Sequence, residues 1–148
     1  MGLIWHWKDF QELSTTELYQ ILEARQVVFI VEQKINCIDC DGLDQESWHC
    51  WGVDQNRLAA YLRVIKPGVK YQEPSIGRVL TMPEYRGQGY GKEIMQFSLD
   101  RIKHELGEGS IRMSAQSYLE RFYTDLGFKT VSEPYIEEGI EHIQMLSN

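Results

Sequence analysis

Arg86-Gly87-Gln88-Gly89-Tyr90-Gly91 stands between a strand-like run, Ser75 to Met82, and a helix-like run, Lys92 to Leu106. A glycine-rich turn that opens a helix is suited to holding an anion. Glycines let backbone N–H groups approach a ligand without interference from Cβ, and the helix start adds unpaired donors and the positive end of the helix dipole. The expected ligand is a phosphate or pyrophosphate. The two common nucleotide patterns fail here. A dinucleotide fingerprint needs glycine where Lys92 stands, and a P-loop needs Gly at 86 and Ser or Thr at 93, which are Arg86 and Glu93. Neither NAD nor ATP is expected. A turn that only reverses the chain would not need the strand before it and the helix after it.

The 148 residues, 43% of them apolar, fit one domain spanning 1–148 with a core large enough to fold alone. A net charge of −7 argues against nonspecific nucleic-acid binding, which needs a basic stripe to neutralise phosphates, and suits a cationic amine substrate. Uncharged stretches such as Gln26 to Val31 are too short to span a bilayer, and His6, Lys8 and Asp9 near the start do not read as a signal peptide. A cytoplasmic location without membrane contact is expected. Three cysteines, Cys37, Cys40 and Cys50, disfavour a disulfide framework. With His49 they supply four zinc ligands in principle, and Cys37-x-x-Cys40 alone a redox pair. His49 and Cys50 are adjacent, however, and on a strand they point to opposite faces. No metal is expected.

Outward from the glycine-rich loop, the pattern reads as strands and helices in the order β-α-β-β-β-α-β-α-β-β, an α/β (α+β) domain with a mixed central sheet and helices on both faces. Leu3 to Trp7 reads as a first strand, and Ser14-x-x-Glu17 caps a helix from Thr15 to about Val31, with Leu18, Ile21, Leu22 and Phe29 on its apolar face beside Arg25. Arg25 there is either snorkelling or paired. An acidic loop from Asn36 to Ser47 precedes strands at Trp48 to Val53 and Leu58 to Ile65, turned at Asp54-Gln55-Asn56. The helix after the loop buries Ile94, Met95, Leu99, Ile102 and Leu106 and ends at Gly107 and Gly109. Ile111 to Ala115 returns parallel to the strand before the loop. Ser117-x-x-Glu120 caps a helix from Tyr118 to Leu126, and the last strands, Phe128 to Val131 and Glu141 to Leu146, are joined by Pro134 to Gly139.

Arg86-x-x-Gly89-x-Gly91 after Met82-Pro83-Glu84-Tyr85 resembles the acetyl-CoA pyrophosphate loop of the GNAT N-acetyltransferases. Phe122-Tyr123-x-x-Leu126-Gly127-Phe128 is similar to the helix in that family that carries a tyrosine beside the thioester sulfur. Leu18-Tyr19, Arg25-Gln26-x-x-Phe29, Glu32-Gln33, Asp41-Gly42-x-Asp44, His49, Ile76-Gly77-Arg78-Val79, Gln116-x-Tyr118-Leu119 and Glu138-Gly139-Ile140-x-His142-Ile143-x-Met145 resemble the ElaA branch. The resemblance spans nearly the whole chain.

It implies an N-acyltransferase that moves an acetyl group from acetyl-CoA to the amine of a small molecule or peptide by direct attack in a ternary complex. Backbone groups of Val79 and Thr81 would bind the pantetheine arm, and the Val79 N–H would stabilise the oxyanion, a task for a fixed dipole. The pyrophosphate would sit on backbone N–H groups of Gly87, Gln88, Gly89, Tyr90, Gly91 and Lys92, with Arg86 contacting a phosphate or bracing the loop. Gln116 stands where many of these enzymes carry asparagine and is implied to be a variant CoA contact. Tyr123 would protonate the departing thiolate, a mildly uphill transfer given reference pKa values of about 10 and about 8.5. Glu32, His49 and His142 are candidates for the general base, with a water chain as the alternative. Arg25 with Glu32 also resembles an arrangement in acyl-homoserine-lactone synthases, and both count as substrate-side candidates. Homodimers are common in this fold. Two rival readings are a non-catalytic acyl-CoA-binding module and a zinc or redox protein using Cys37, Cys40 and Cys50.

Overall fold

Two neighbouring strands sort the core onto the two faces of the sheet. On one face Cys50, Ala60, Leu62 and Val64 pack with Ile94, Met95 and Ile102; on the other Trp51 and Tyr61 pack with Ile21, Ala24, Val28 and Leu80. The alternation follows from the two-residue period of a strand, and it demands a helix on each side. A fully buried side chain such as Ile21 contributes about 1.5–3 kcal/mol, so the first helix is held chiefly by this contact.

The computed structural model describes residues 2–147. The strands are β1 (Ile4–Asp9), β2 (Ser47–Asp54), β3 (Arg57–Ile65), β4 (Ser75–Thr81), β5 (Arg112–Gln116), β6 (Phe128–Thr130), β7 (Tyr135–Glu137) and β8 (Ile140–Ser147). The helices are α1 (Thr15–Arg25), α2 (Tyr90–Leu106) and α3 (Glu120–Thr124). The sheet runs β1-β2-β3-β4-β5-β8-β6, with β7 also paired to β8. Strands β4 and β5 are parallel, with α2 as their crossover; the other described pairs are antiparallel. This is the expected mixed sheet with helices on both faces. No described helix is long and apolar enough to cross a membrane.

Several local expectations are met and several are corrected. Ser14 and Glu17 form the expected capping box, with the Glu17 N–H on Ser14 Oγ at 3.0 Å and the Ser14 N–H on Glu17 Oε1 at 2.9 Å. The helix does not run regularly to Val31, however. After Arg25 it widens into a π-helical turn, Gln26–Glu32, where Val27, Val28, Ile30 and Val31 crowd one another as β-branched residues. Ser117 does not cap the following helix. It lies inside a 3-10 turn, Ser117–Leu119, that bends the chain sharply off β5, and its Oγ is buried without a partner. Leu106 is 42% exposed at the end of α2, and Ser98 takes a buried place on that helix instead. The segment expected only to join the last strands forms β7, too short to show a period in sequence.

The sheet opens at one place. β4 and β5 pair only at Ser75 with Arg112 and Ile76 with Met113. Beyond those residues the two strands diverge. On its other edge β4 carries an irregularity: the register with β3 shifts between Tyr61 and Arg63, and Arg78 takes a left-handed φ of 52°. The unpaired half of β4 therefore faces a gap that ends at the glycine-rich loop.

Candidate active site

The gap between the diverging strands is a cavity of about 380 Å³, a size suited to a small ligand or the end of a larger one. Gly77, Arg78 and Val79 of β4 form one wall, and Met113 to Gln116 of β5 the other. Phe29 and Gln33, from the widened end of the first helix, border it on one side; Glu137, Glu138 and His142, from the β7–β8 hairpin, border it on another. Tyr123 also reaches it from α3.

The glycine-rich loop lies at the end of β4, after a 3-10 turn, Pro83–Tyr85. Gly87 and Gly89 adopt left-handed φ values of 76° and 84°, which require glycine or a strained substitute, and a Cβ on either would meet only open space. Helix α2 starts at Tyr90, and the Glu93 N–H to the Gly89 carbonyl, 3.1 Å, closes its first turn. The N–H groups from Gly89 to Lys92 precede that bond, so they are the orphan donors of a helix start, with no side-chain cap on them; those of Gly87 and Gln88 stand just before them in the loop. Such a helix start is suited to an anion.

Arg86 does not point its charge freely at the loop. Its two Nη atoms clasp both oxygens of Glu32 at 2.6 Å each, and its Nε donates to the Thr81 carbonyl at 2.9 Å. The guanidinium thereby ties the widened end of the first helix to the end of β4. It also holds the Glu32 carboxyl below its ordinary range, which weakens Glu32 as a proton acceptor. Next to Glu32, the Gln33 side chain accepts from the Gln116 amide at 3.3 Å, a second tie across the cavity.

Tyr123 is 4% exposed, and its hydroxyl makes no hydrogen bond to any described residue. Burial pushes its pKa up, so it stays protonated throughout the physiological range. A hydroxyl that keeps its proton, has no protein partner and belongs to a residue lining the cavity is suited to a general acid.

The three histidine and glutamate candidates separate cleanly. His49 is fully buried away from the cavity: its Nε2–H donates to the Asp44 carbonyl at 2.9 Å and its Nδ1 accepts from the Tyr61 hydroxyl at 2.7 Å. Both ring nitrogens are used, and burial lowers its pKa. His142 borders the cavity. Its Nδ1–H donates to the Ile140 carbonyl at 2.7 Å, which fixes the tautomer and leaves the Nε2 lone pair 3.7 Å from Glu137 Oε2. In register, His142 lies directly across from Gln116.

Arg25 is fully buried and paired, not snorkelling. It joins Arg63 and Arg78 in a network with Asp39, Asp41 and Asp44 that pins the acidic loop to the sheet. Arg25 contacts Asp39 and Asp44 at 2.7 Å each; Arg63 contacts Asp41 and Asp44 at 2.5 and 2.9 Å; Arg78 contacts Asp39 at 2.9 Å. Burial alone would raise the Asp41 and Asp44 carboxyls, but the arginines outweigh it and hold both below the usual range. The sequence shows the charges but gives no sign of this partnering, because the partners lie up to 39 positions apart.

The cysteines do not converge. Cys50 is buried in the core and its thiol is pushed up to about 12 by burial, Cys37 borders the cavity, and Cys40 is exposed. Among the described residues no group of three or more His, Cys, Asp or Glu side chains is placed to hold a metal ion. Gln33, Glu137 and Glu138 were not singled out from sequence as site residues; only their turn and helix-end positions in the fold bring them to the cavity.

A family model described as "Acetyltransferase (GNAT) domain" matches residues 24–147. A UPF0039 protein of Synechocystis is 40% identical over 99% of this chain and 96% of its own length, and Protein ElaA of Escherichia coli is 37% identical over 94% of each. Among solved structures, an acyl-CoA N-acyltransferase from Pseudomonas aeruginosa superposes with a TM-score of 0.96 at 35% identity, covering 99% of this chain and 100% of that one. Escherichia coli ElaA superposes with a TM-score of 0.93 at 33% identity, covering 99% of both chains. The diverging strands, the helix-start cradle and these likenesses agree: the chain belongs to the GNAT acetyltransferase family, in its ElaA-like branch.

Proposed function

We propose that the protein transfers the acetyl group of acetyl-CoA to a primary amine by direct attack. The observation that carries this reading is the unpartnered hydroxyl of Tyr123 at a cavity walled by β4, the strand that leads into the helix-start cradle. Acetyl-CoA supplies an activated acyl group, and the chain's own groups do the rest. The loop N–H groups from Gly87 to Lys92 hold the diphosphate, and the backbone of Val79 and Thr81, which has no β5 partner, receives the amide-rich arm. The Val79 N–H, freed from the β5 ladder, faces the developing oxyanion.

His142 is the general base in this mechanism, since Glu32 is claimed by Arg86 and His49 by the core. Its Nε2 takes a proton from the incoming ammonium, and the free amine lone pair then forms the new C–N bond as the C–S bond breaks. Tyr123 gives its proton to the departing sulfur and is restored by the proton that leaves the new amide nitrogen. Gln116, held by Gln33, lies across the strands from His142.

Steady-state assays with acetyl-CoA and a panel of primary amines test the reading. Tyr123→Phe is expected to lower kcat on the order of 100-fold while acetyl-CoA affinity stays within about threefold. Unchanged kcat removes Tyr123 as the acid, and an acetylated enzyme competent for transfer removes direct attack. A purely acyl-CoA-binding module would bind acetyl-CoA and turn over none of the amines.

A further inference from the structure

Both glutamates of the β7–β8 hairpin border the cavity, although consecutive residues of a strand point to opposite faces. The turn explains it. Glu138 and Gly139 have φ values of 52° and 77°, the two left-handed residues of a tight hairpin turn, and this rotation brings the side chains of 137 and 138 to the same side. Asparagine or glycine is the usual occupant at the first of these positions, and a glutamate there sits in an uncommon conformation.

The other charges on the cavity wall are accounted for. Arg63 and Arg78 belong to the aspartate network, as do Asp39 and Asp41. The Lys70 ammonium lies over the Tyr71 ring, 5.5 Å from its centroid. Glu137 and Glu138 have no arginine or lysine partner among the described residues. Burial, with the Glu138 carboxylate next, pushes the facing Cys37 thiol up, so the thiol gives Glu138 no counter-charge.

His142 is an independent sign of a ligand at this spot. It is only 8% exposed, yet its Nε2 has no hydrogen-bond partner and stops 3.7 Å short of Glu137 Oε2. That gap is too long for a hydrogen bond. A donor carrying several protons, such as an ammonium, bridges two acceptors so placed. Glu138 lies at the hairpin tip, exposed at the mouth, two to three strand positions beyond His142, roughly 7–10 Å away at the usual rise per residue.

We propose that the acceptor is a small linear diamine, with Glu137 and His142 receiving the ammonium that reacts and Glu138 holding the distal ammonium. A chain of four or five methylenes spans the two positions. The inference rests on the acetyltransferase reading for its chemistry, but not for its binding.

Two measurements test it, with 1,5-diaminopentane and pentylamine as probes. Titration calorimetry of the diamine into the protein without acetyl-CoA is expected to show one site, weakened at least tenfold in Glu138→Gln and in Glu137→Gln. In acetyl-transfer assays the diamine is expected to exceed pentylamine in kcat/KM at least tenfold, and Glu138→Gln to collapse that ratio. In Glu138→Lys, a change at an exposed position, the ratio is expected to fall below one, and 5-aminopentanoate, added as a third probe, to exceed the diamine in kcat/KM. Diamine binding lost in the variants, with no acetyl transfer to any amine, supports the cation site and overturns the acetyltransferase reading. Acetyl transfer that favours pentylamine equally, or diamine binding unchanged in both variants, overturns the diamine proposal and leaves the acetyltransferase reading intact.

Discussion

The glycine-rich loop and the cavity wall are built from different materials. In the loop, Gly87 to Lys92 offer backbone N–H groups from six consecutive residues, and no side chain supplies a cap. The wall is made of side chains brought from the acidic loop, β3, β4 and the β7–β8 hairpin, and its charge balance depends on ion pairs between residues far apart in sequence. A backbone site is as fixed as its local conformation and recognises a constant group such as a diphosphate. A side-chain site changes with single substitutions while the fold stays the same, which suits it to selecting an acceptor.

The largest effect is expected from Gly89→Asp. A carboxylate about 4 Å from a diphosphate charge costs about 4 kcal/mol at an effective dielectric constant near 20. Acetyl-CoA affinity is expected to fall roughly a thousandfold by titration calorimetry, and retained affinity would move the anion away from the loop. Next is Arg25→Met, which leaves Asp39 with Arg78 alone and Asp44 with Arg63 alone. A loss of about 3 kcal/mol in chemical denaturation is expected, with the glycine-rich loop still able to bind acetyl-CoA. A neutral result would mean that the network does not hold the acidic loop.

Acidification probes the same network more gently. Asp41 and Asp44 have folded pKa values below their ordinary ones, so their contribution is present above about pH 4 and is lost as pH falls from there. His49 is buried neutral with a lowered pKa, so the unfolded chain gains its proton first as pH falls below about 6.5. Both effects have the same sign: thermal stability should decline from about pH 6.5 downward and steepen below about pH 4. A flat profile would show that these groups are not what holds the acidic loop. The smallest expected effect is that of Glu32→Gln. Its pair with Arg86 is substantially exposed, so stability should change by less than about 1 kcal/mol. A larger loss of acetyl-CoA affinity than of stability would show that the clasp serves the glycine-rich loop.

Local rules carried far where the structure is local. The Ser14–Glu17 box, the Gly107 helix end and the alternation of β2 and β3 each follow from residues within one turn or one strand of each other. They failed where a tertiary demand overrode them. Ser117-x-x-Glu120 has the letters of a capping box, but the bend off β5 uses those residues for a 3-10 turn. The crowding of Val27 to Val31 is visible in sequence, yet its outcome as a π-helical turn, which carries Glu32 to Arg86 and Gln33 to Gln116, is a matter of docking. Among the proton-acceptor candidates, residue type alone could not separate His49 from His142; the first is sealed between Asp44 and Tyr61 and the second keeps one nitrogen toward the cavity.

The element order apart from β7, the two-faced sheet and the glycine-rich helix start were legible in residue types and their spacing, because each depends on interactions between residues close along the chain. Only the tertiary structure decided how far β4 and β5 diverge, which arginine pairs with which aspartate, and that Glu137 and Glu138 face one cavity together. Those outcomes depend on strand register, on charges meeting across tens of residues and on two left-handed dihedrals in a turn, and none of these is written in residue type or spacing.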